Sequence, residues 1–149
     1  MKMSDYSHIL AAVDFSASAD RVLSKAIKIA NRDKAKLSLL HVVEYMPPID
    51  SAFDPMLTGN WMLDEDTLVE NARQTLIKFS DRHELKNVEL EVQLGTPKQE
   101  ITRYIEDHKC DLVILGSHGR HGLNILLGST ANALLHAMPC DILTVKVEE

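Results

Sequence analysis

An α/β fold, doubly wound around a parallel sheet, is what this sequence predicts. Three observations carry that expectation. Short, almost wholly apolar runs such as 9–13 and 112–115 read as strands buried on both faces. Between such runs lie segments whose apolar residues recur at helical spacing. The two kinds alternate along the chain, as right-handed βαβ units require. The length, 149 residues, suits one domain over residues 1–149.

His8-Ile9-Leu10-Ala11-Ala12-Val13 is the first expected strand, and Asp14-Phe15-Ser16 turns out of it. Val22, Leu23, Ala26, Ile27 and Ala30 then mark an amphipathic helix, with Ser16 or Ser18 as its N-cap. Residues 36–43 form a second buried strand. The stretch 44–64 breaks the rhythm with Pro47, Pro48, Pro55 and Gly59, and reads as a long surface excursion. Leu68, Ala72, Leu76 and Phe79 place a helix from about Asp64 to His83. Residues 88–94 alternate strictly between apolar and polar, so that strand has one wet face and belongs at a sheet edge. Thr96 caps the next helix, with Pro97 at its first position and Gln99 completing a capping box. Ile101, Tyr104 and Ile105 face inward. A fourth strand covers 111–115, a helix runs from Ser129 to Met138, and a last strand covers 140–147.

Acids outnumber bases by 22 to 16, a net charge of −6, which argues against broad binding to nucleic acid or anionic membrane. The longest apolar run, Ile9 to Val13, is too short for a membrane span or a signal core. Two cysteines, Cys110 and Cys140, make no disulfide framework and lack zinc spacing; they read as buried, inert thiols. The seven histidines show no metal-binding motif, and His8 and His41, both in strands, read as hydrogen-bonded structural residues. The plain reading is a reduced, cytoplasmic protein.

In open parallel sheets, ligands bind beyond the carboxyl ends of the strands where the strand order reverses. Asp14, the end of the second strand at 41–43, and the loop Gly116-Ser117-His118-Gly119-Arg120-His121-Gly122 would converge there. Four of the six glycines lie at 116, 119, 122 and 128, where backbone N–H groups could approach an anion closely. Gly128-Ser129-Thr130 opens a helix whose N-terminus favours phosphate. The glycines could equally serve only as turns, and Ser129 only as a cap. Neither the dinucleotide fingerprint nor a Walker A loop is present.

The segments 8–16 and 35–42, the run Cys110-Asp111-Leu112-Val113-Ile114-Leu115-Gly116-Ser117-His118-Gly119-Arg120, then Leu127-Gly128-Ser129-Thr130-Ala131 and 139–145, resemble the universal stress protein A family over almost the whole chain. The resemblance implies a Rossmann-like, five-stranded parallel sheet of order 3-2-1-4-5, with helices on both faces. It also implies a homodimer formed through the last strand, 142–147. Many members bind ATP and others do not; the binding pattern is G-x2-G-x9-G-[ST]. Here Gly119 and Gly128 are one residue closer than that pattern. By the resemblance, Asp14 holds the ribose, Val42 presents its backbone to the adenine edge, and Ala12 and Val13 line the base pocket. Gly116, Gly119, Gly128, Ser129 and Thr130 cradle phosphates, with Ser117, His118 and Arg120 in or beside the loop. ATP, with Mg²⁺ accompanying it, is the implied ligand. The excursion 44–63 is a candidate responsive element, and a protein partner is implied but not identified. Two rival readings stand beside this one: a dimeric interaction protein with an unused pocket, and a slow ATPase, for which no general base stands out.

Overall fold

The computed structural model describes residues 6–16, 18–44, 64–117, 129–137 and 139–146. Its elements run β1 (His8–Ala12), α1 (Ala19–Asp33), β2 (Lys36–Val43), α2 (Glu65–Arg82), β3 (Glu89–Leu94), α3 (Pro97–His108), β4 (Leu112–Gly116), α4 (Ser129–Ala137) and β5 (Asp141–Val145). The strands form one sheet of order β3-β2-β1-β4-β5, with every neighbouring pair parallel. That is the expected order, and each strand boundary lies within two residues of its expected place among the described residues.

Alternation along the strands divides the core in two. Ile9, Ala11, Leu39, Leu112 and Ile114 point to the face covered by α1 and α2, where Leu23, Ala26, Leu76 and Phe79 meet them. Leu10, Leu40, Val113 and Leu115 point to the face covered by α3 and α4, against Ile101, Ile105, Ala131 and Leu134. Sealed on both sides, β1 beyond His8 and β4 up to Gly116 are apolar, which is why they read as unbroken runs. β3 lies at the edge, with Val92 buried and Glu89 exposed, as its alternation foretold.

Two expected caps are not made. Ser18 occupies the N-cap position of α1, but its backbone is already helical (φ −82°, ψ −9°), whereas a side-chain cap needs an extended residue. Its hydroxyl pairs with Ser16 Oγ at 2.7 Å instead. Thr96 is the N-cap of α3 and Pro97 follows it, yet no side-chain cap bond forms and the capping box with Gln99 is absent. Pro97 already sets the entry angle, and both Thr96 and Gln99 are exposed and solvated. By contrast Asp64 caps α2, its carboxylate accepting from Thr67 N–H at 2.7 Å.

A buried polar group sits under α3. His8 Nδ1 lies 3.1 Å from the carbonyl of His108, which only accepts, so Nδ1 carries the proton. Nε2 then accepts from the Ser38 hydroxyl at 2.7 Å. Burial pushes the His8 imidazole below its usual range; Lys36 adds to this, while the His108 carbonyl and Glu89 oppose it. The free thiols Cys110 and Cys140 flank the starts of β4 and β5. Burial pushes them up to about 12 and about 11.

The folded state thus holds His8 neutral, whereas the unfolded chain takes up a proton near the ordinary value of 6.5. Stability from this group is complete above that value and falls as pH drops through the lowered folded one. Urea midpoints are expected to fall between about pH 7.5 and about pH 5.5, and less steeply in His8→Gln. An equally steep fall in that variant would place the titration elsewhere. Cys110 is buried as expected, whereas Cys140 is only half-buried, since it sits at the rim of the edge strand; an aromatic disulfide reagent is therefore expected to label Cys110 far more slowly in the native protein than in the urea-unfolded chain, and more slowly than Cys140. Comparable rates at Cys110 in the two states would show an accessible thiolate.

Candidate functional site

The central strand stops first. Its last bond to β2 runs from Val13 N–H to Leu40 C=O at 3.0 Å. On one side β2 continues to Val43, and on the other β4 continues to Gly116. Main-chain groups alternate in direction along a strand. Val42 therefore points its N–H and C=O the same way as Leu40, towards the side β1 has left. Ser117 N–H donates to Val145 C=O at 2.9 Å, so the main chain of Gly116 points the other way, also towards β1. A notch results above Val13 and Asp14, walled by two strand ends. It lies at the reversal of strand order, since the chain runs from β1 outward to β3 and returns to β4 on the opposite side.

The turn at the floor of the notch is tied down locally. Asp14 Oδ1 accepts from Ser16 N–H at 3.0 Å, the side-chain turn that Asp favours. Phe15 takes a positive φ of 61°, unusual for an aromatic residue. Ala19 N–H donates to Ser16 C=O at 3.0 Å and leads into α1. The expected turn at Asp14-Phe15-Ser16 is thus closed through one carboxylate oxygen. The other accepts no hydrogen bond from the described residues.

The expected site residues are placed as follows. Ala12 and Val42 are half-buried and pack with Leu10, Leu40, Ala131 and Leu134, on the face covered by α3 and α4. Val13 is buried on the opposite face with α1. Because α4 follows β4 and runs back towards β5, its first residue, Ser129, starts at the notch end of the sheet. Thr130 is half-buried in that first turn, and the turn carries no acid that would oppose an anion. Ser117 is buried and its N–H is committed to Val145, which removes that amide from a phosphate cradle. His118, Gly119, Arg120 and Gly128 lie outside the described residues, as does the excursion from 45 to 63.

One pair near the notch escaped the reading of the sequence as a site. His41 was expected to be a structural residue, and Phe15 only part of a turn. Their rings stack, with centroids 4.0 Å apart, beside Asp14. The available signal was a polar residue at the end of an otherwise apolar strand.

Elsewhere, no group of acids, histidines and cysteines suited to a metal ion occurs among the described residues. No described helix is long and apolar enough to cross a membrane. A groove of about 460 Å³ lies along the edge strand β5, lined by Tyr6, Ile29, Leu135, Cys140, Ile142 and Leu143.

Comparison with known proteins agrees with this architecture. The Universal stress protein family matches residues 5–146. Universal stress protein A homolog 2 of Coxiella burnetii is 36% identical over 148 residues, covering 98% of this chain and 99% of the relative. Among solved structures, universal stress protein UspA from Lactobacillus plantarum superposes with a TM-score of 0.71 at 29% identity, over 96% of this chain and 99% of that one. A universal stress protein solved in complex with cAMP shares the fold, with a TM-score of 0.62 at 21% identity over 95% of this chain and 98% of that one.

Proposed function

The chain belongs to the universal stress protein family, and from that premise we propose that it binds ATP or another adenine nucleotide in the notch above β1, as a cytoplasmic, single-domain homodimer. One observation carries the reading. β1 ends at Val13 while the main chains of Val42 and Gly116 point into the space beside Asp14, and α4 begins at the same end of the sheet. A backbone donor and acceptor at Val42 suit the edge of a purine, which offers an acceptor and a donor of its own. Ala12, half-buried at the end of β1, gives that base an apolar floor, whereas Val13 is buried on the opposite face. The second carboxylate oxygen of Asp14, which accepts no hydrogen bond from the described residues, suits a ribose hydroxyl.

The phosphates belong with Gly116, Gly119, Gly128, Ser129 and Thr130, by the family pattern. The start of α4 supplies unpaired N–H groups and the positive end of a helix dipole. His118 and Arg120 would add charge beside them. Mg²⁺ would come with the nucleotide, held chiefly by its phosphates. Hydrolysis would require a positioned water and stabilisation of the developing charge; no residue described here is assigned to either task.

A second reading rests on the edge of the sheet. β5 lies at that edge, and Ile142 and Leu143, both half-buried, line the groove beside it. An open strand edge next to an apolar groove calls for a cover. A second copy meeting it through 142–147 would make a dimer whose work is done by its surfaces, with the notch unused.

Calorimetry on nucleotide-free protein with Mg²⁺ separates the two. ATP is expected to bind saturably, and ADP and cAMP form the comparison set because a protein of this fold holds cAMP. Asp14→Ala, which removes a charged hydrogen-bond partner, is expected to weaken ATP by about tenfold or more. Gly119→Val is expected to weaken it as strongly by crowding the phosphate loop. No heat at millimolar ATP would mean that the shortened glycine spacing has broken the cradle, and the dimeric interaction reading would replace the first.

A further inference from the structure

Asp14 has neighbours on either side that are both held by one side chain. His41 Nδ1 lies 2.7 Å from the carbonyl of Val13. A carbonyl only accepts, so Nδ1 carries the proton and donates it. The same imidazole is stacked on the ring of Phe15, with centroids 4.0 Å apart and planes 25° from parallel. His41 is itself buried, 9% exposed, in strand β2. Phe15 sits at φ 61°, a conformation that an aromatic residue adopts only when its surroundings impose it. The stack on a strand-held ring is such an imposition.

We infer that His41 is the positioning residue of the nucleotide site: its donation to Val13 and its stack on Phe15 clamp the turn that aims the Asp14 carboxylate into the notch. The inference rests on the reading that Asp14 meets the nucleotide, but the clamp itself is a property of the free protein. It assigns to His41 no contact with ligand. Its effect passes through Asp14, which distinguishes it from a residue that merely fills the core. A filler would change stability and leave the coupling to Asp14 at zero.

The experiment is a double-mutant cycle on ATP affinity, with amide exchange on the nucleotide-free protein as a second readout. His41→Leu keeps bulk and removes the donor. His41→Asn keeps an N–H near the place of Nδ1. Phe15→Leu breaks the stack while leaving the hydrogen bond, and serves as an independent probe if His41→Leu does not fold. ATP binding is expected to weaken about tenfold in His41→Leu, to recover most of that loss in His41→Asn, and to be insensitive to the leucine change once Asp14→Ala is present. In the free protein, exchange at Ser16 N–H, which is bonded to Asp14 Oδ1, is expected to quicken in His41→Leu and Phe15→Leu and to return towards the wild-type rate in His41→Asn. An equal loss of ATP affinity with and without Asp14, or unchanged Ser16 exchange, would overturn the clamp. If the wild-type protein binds no adenine nucleotide, the proposed function fails and Ser16 exchange alone decides the clamp.

Discussion

The two parallel ladders that hold β1 between β2 and β4 are the constraint on which the rest of this molecule depends. They place a five-residue strand, apolar after His8, at the middle of the sheet, buried except at its last residue. Every buried backbone N–H and C=O there must find a partner, since an unpaired one costs about 1–3 kcal/mol. The strands beside β1 supply them, and the helices on both faces supply the apolar cover. Once β1 is central, its early end leaves the main chains of Val42 and Gly116 without a β1 neighbour between them among the described residues. The notch is thus a consequence of strand lengths: β2 and β4 run on, and β1 turns away.

That turn shows how the fold handles polar groups at depth. His8 and His41 lie in neighbouring strands, and both are buried. Neither is left unsatisfied. His8 joins the His108 carbonyl to the Ser38 hydroxyl beneath α3, and His41 reaches the Val13 carbonyl. Buried polar groups of this kind are tolerable only when paired, and they specify one geometry where an apolar residue would allow several. At His8 the specified geometry is the join between the start of β1 and the end of α3. At His41 it is the departure of the chain from β1. The second lies at the notch, and so it bears on function.

The two ends of the sheet differ in kind. At the carboxyl ends the groups are main-chain amides, a carboxylate and a helix start, which suits a polar, phosphorylated ligand. Along β5 the groove is lined mainly by half-buried apolar residues, Ile142 and Leu143 beside Tyr6 and Leu135, with the exposed Asp141 at its rim. The notch and the β5 groove thus lie at different places on the sheet, one at its carboxyl end and one along its edge. Ser117, whose N–H is bonded to the last residue of β5, joins the end of β4 to that edge strand.

Much of this was legible in the chain before folding. Runs such as Leu112 to Leu115 announce strands buried twice over, because no exposed strand tolerates four apolar residues in a row. The alternation of Glu89 to Leu94 announces an edge strand, and the family resemblance names Asp14, Val42 and the glycines. Local rules failed at Ser18 and Thr96, where the residue type was right and the backbone or the neighbouring proline made the cap unnecessary. What the sequence by itself determined is the set of elements and their order, since burial patterns and helical spacing are local properties of the chain. Tertiary structure alone decided that Val42 and Gly116 face one another across the end of β1, that Ser117 spends its amide on β5, and that His41 grips both neighbours of Asp14. Those facts depend on which strands lie side by side and where each one stops. Residues 28 apart, such as Val13 and His41, acquire a distance only when the ladder between their strands has formed.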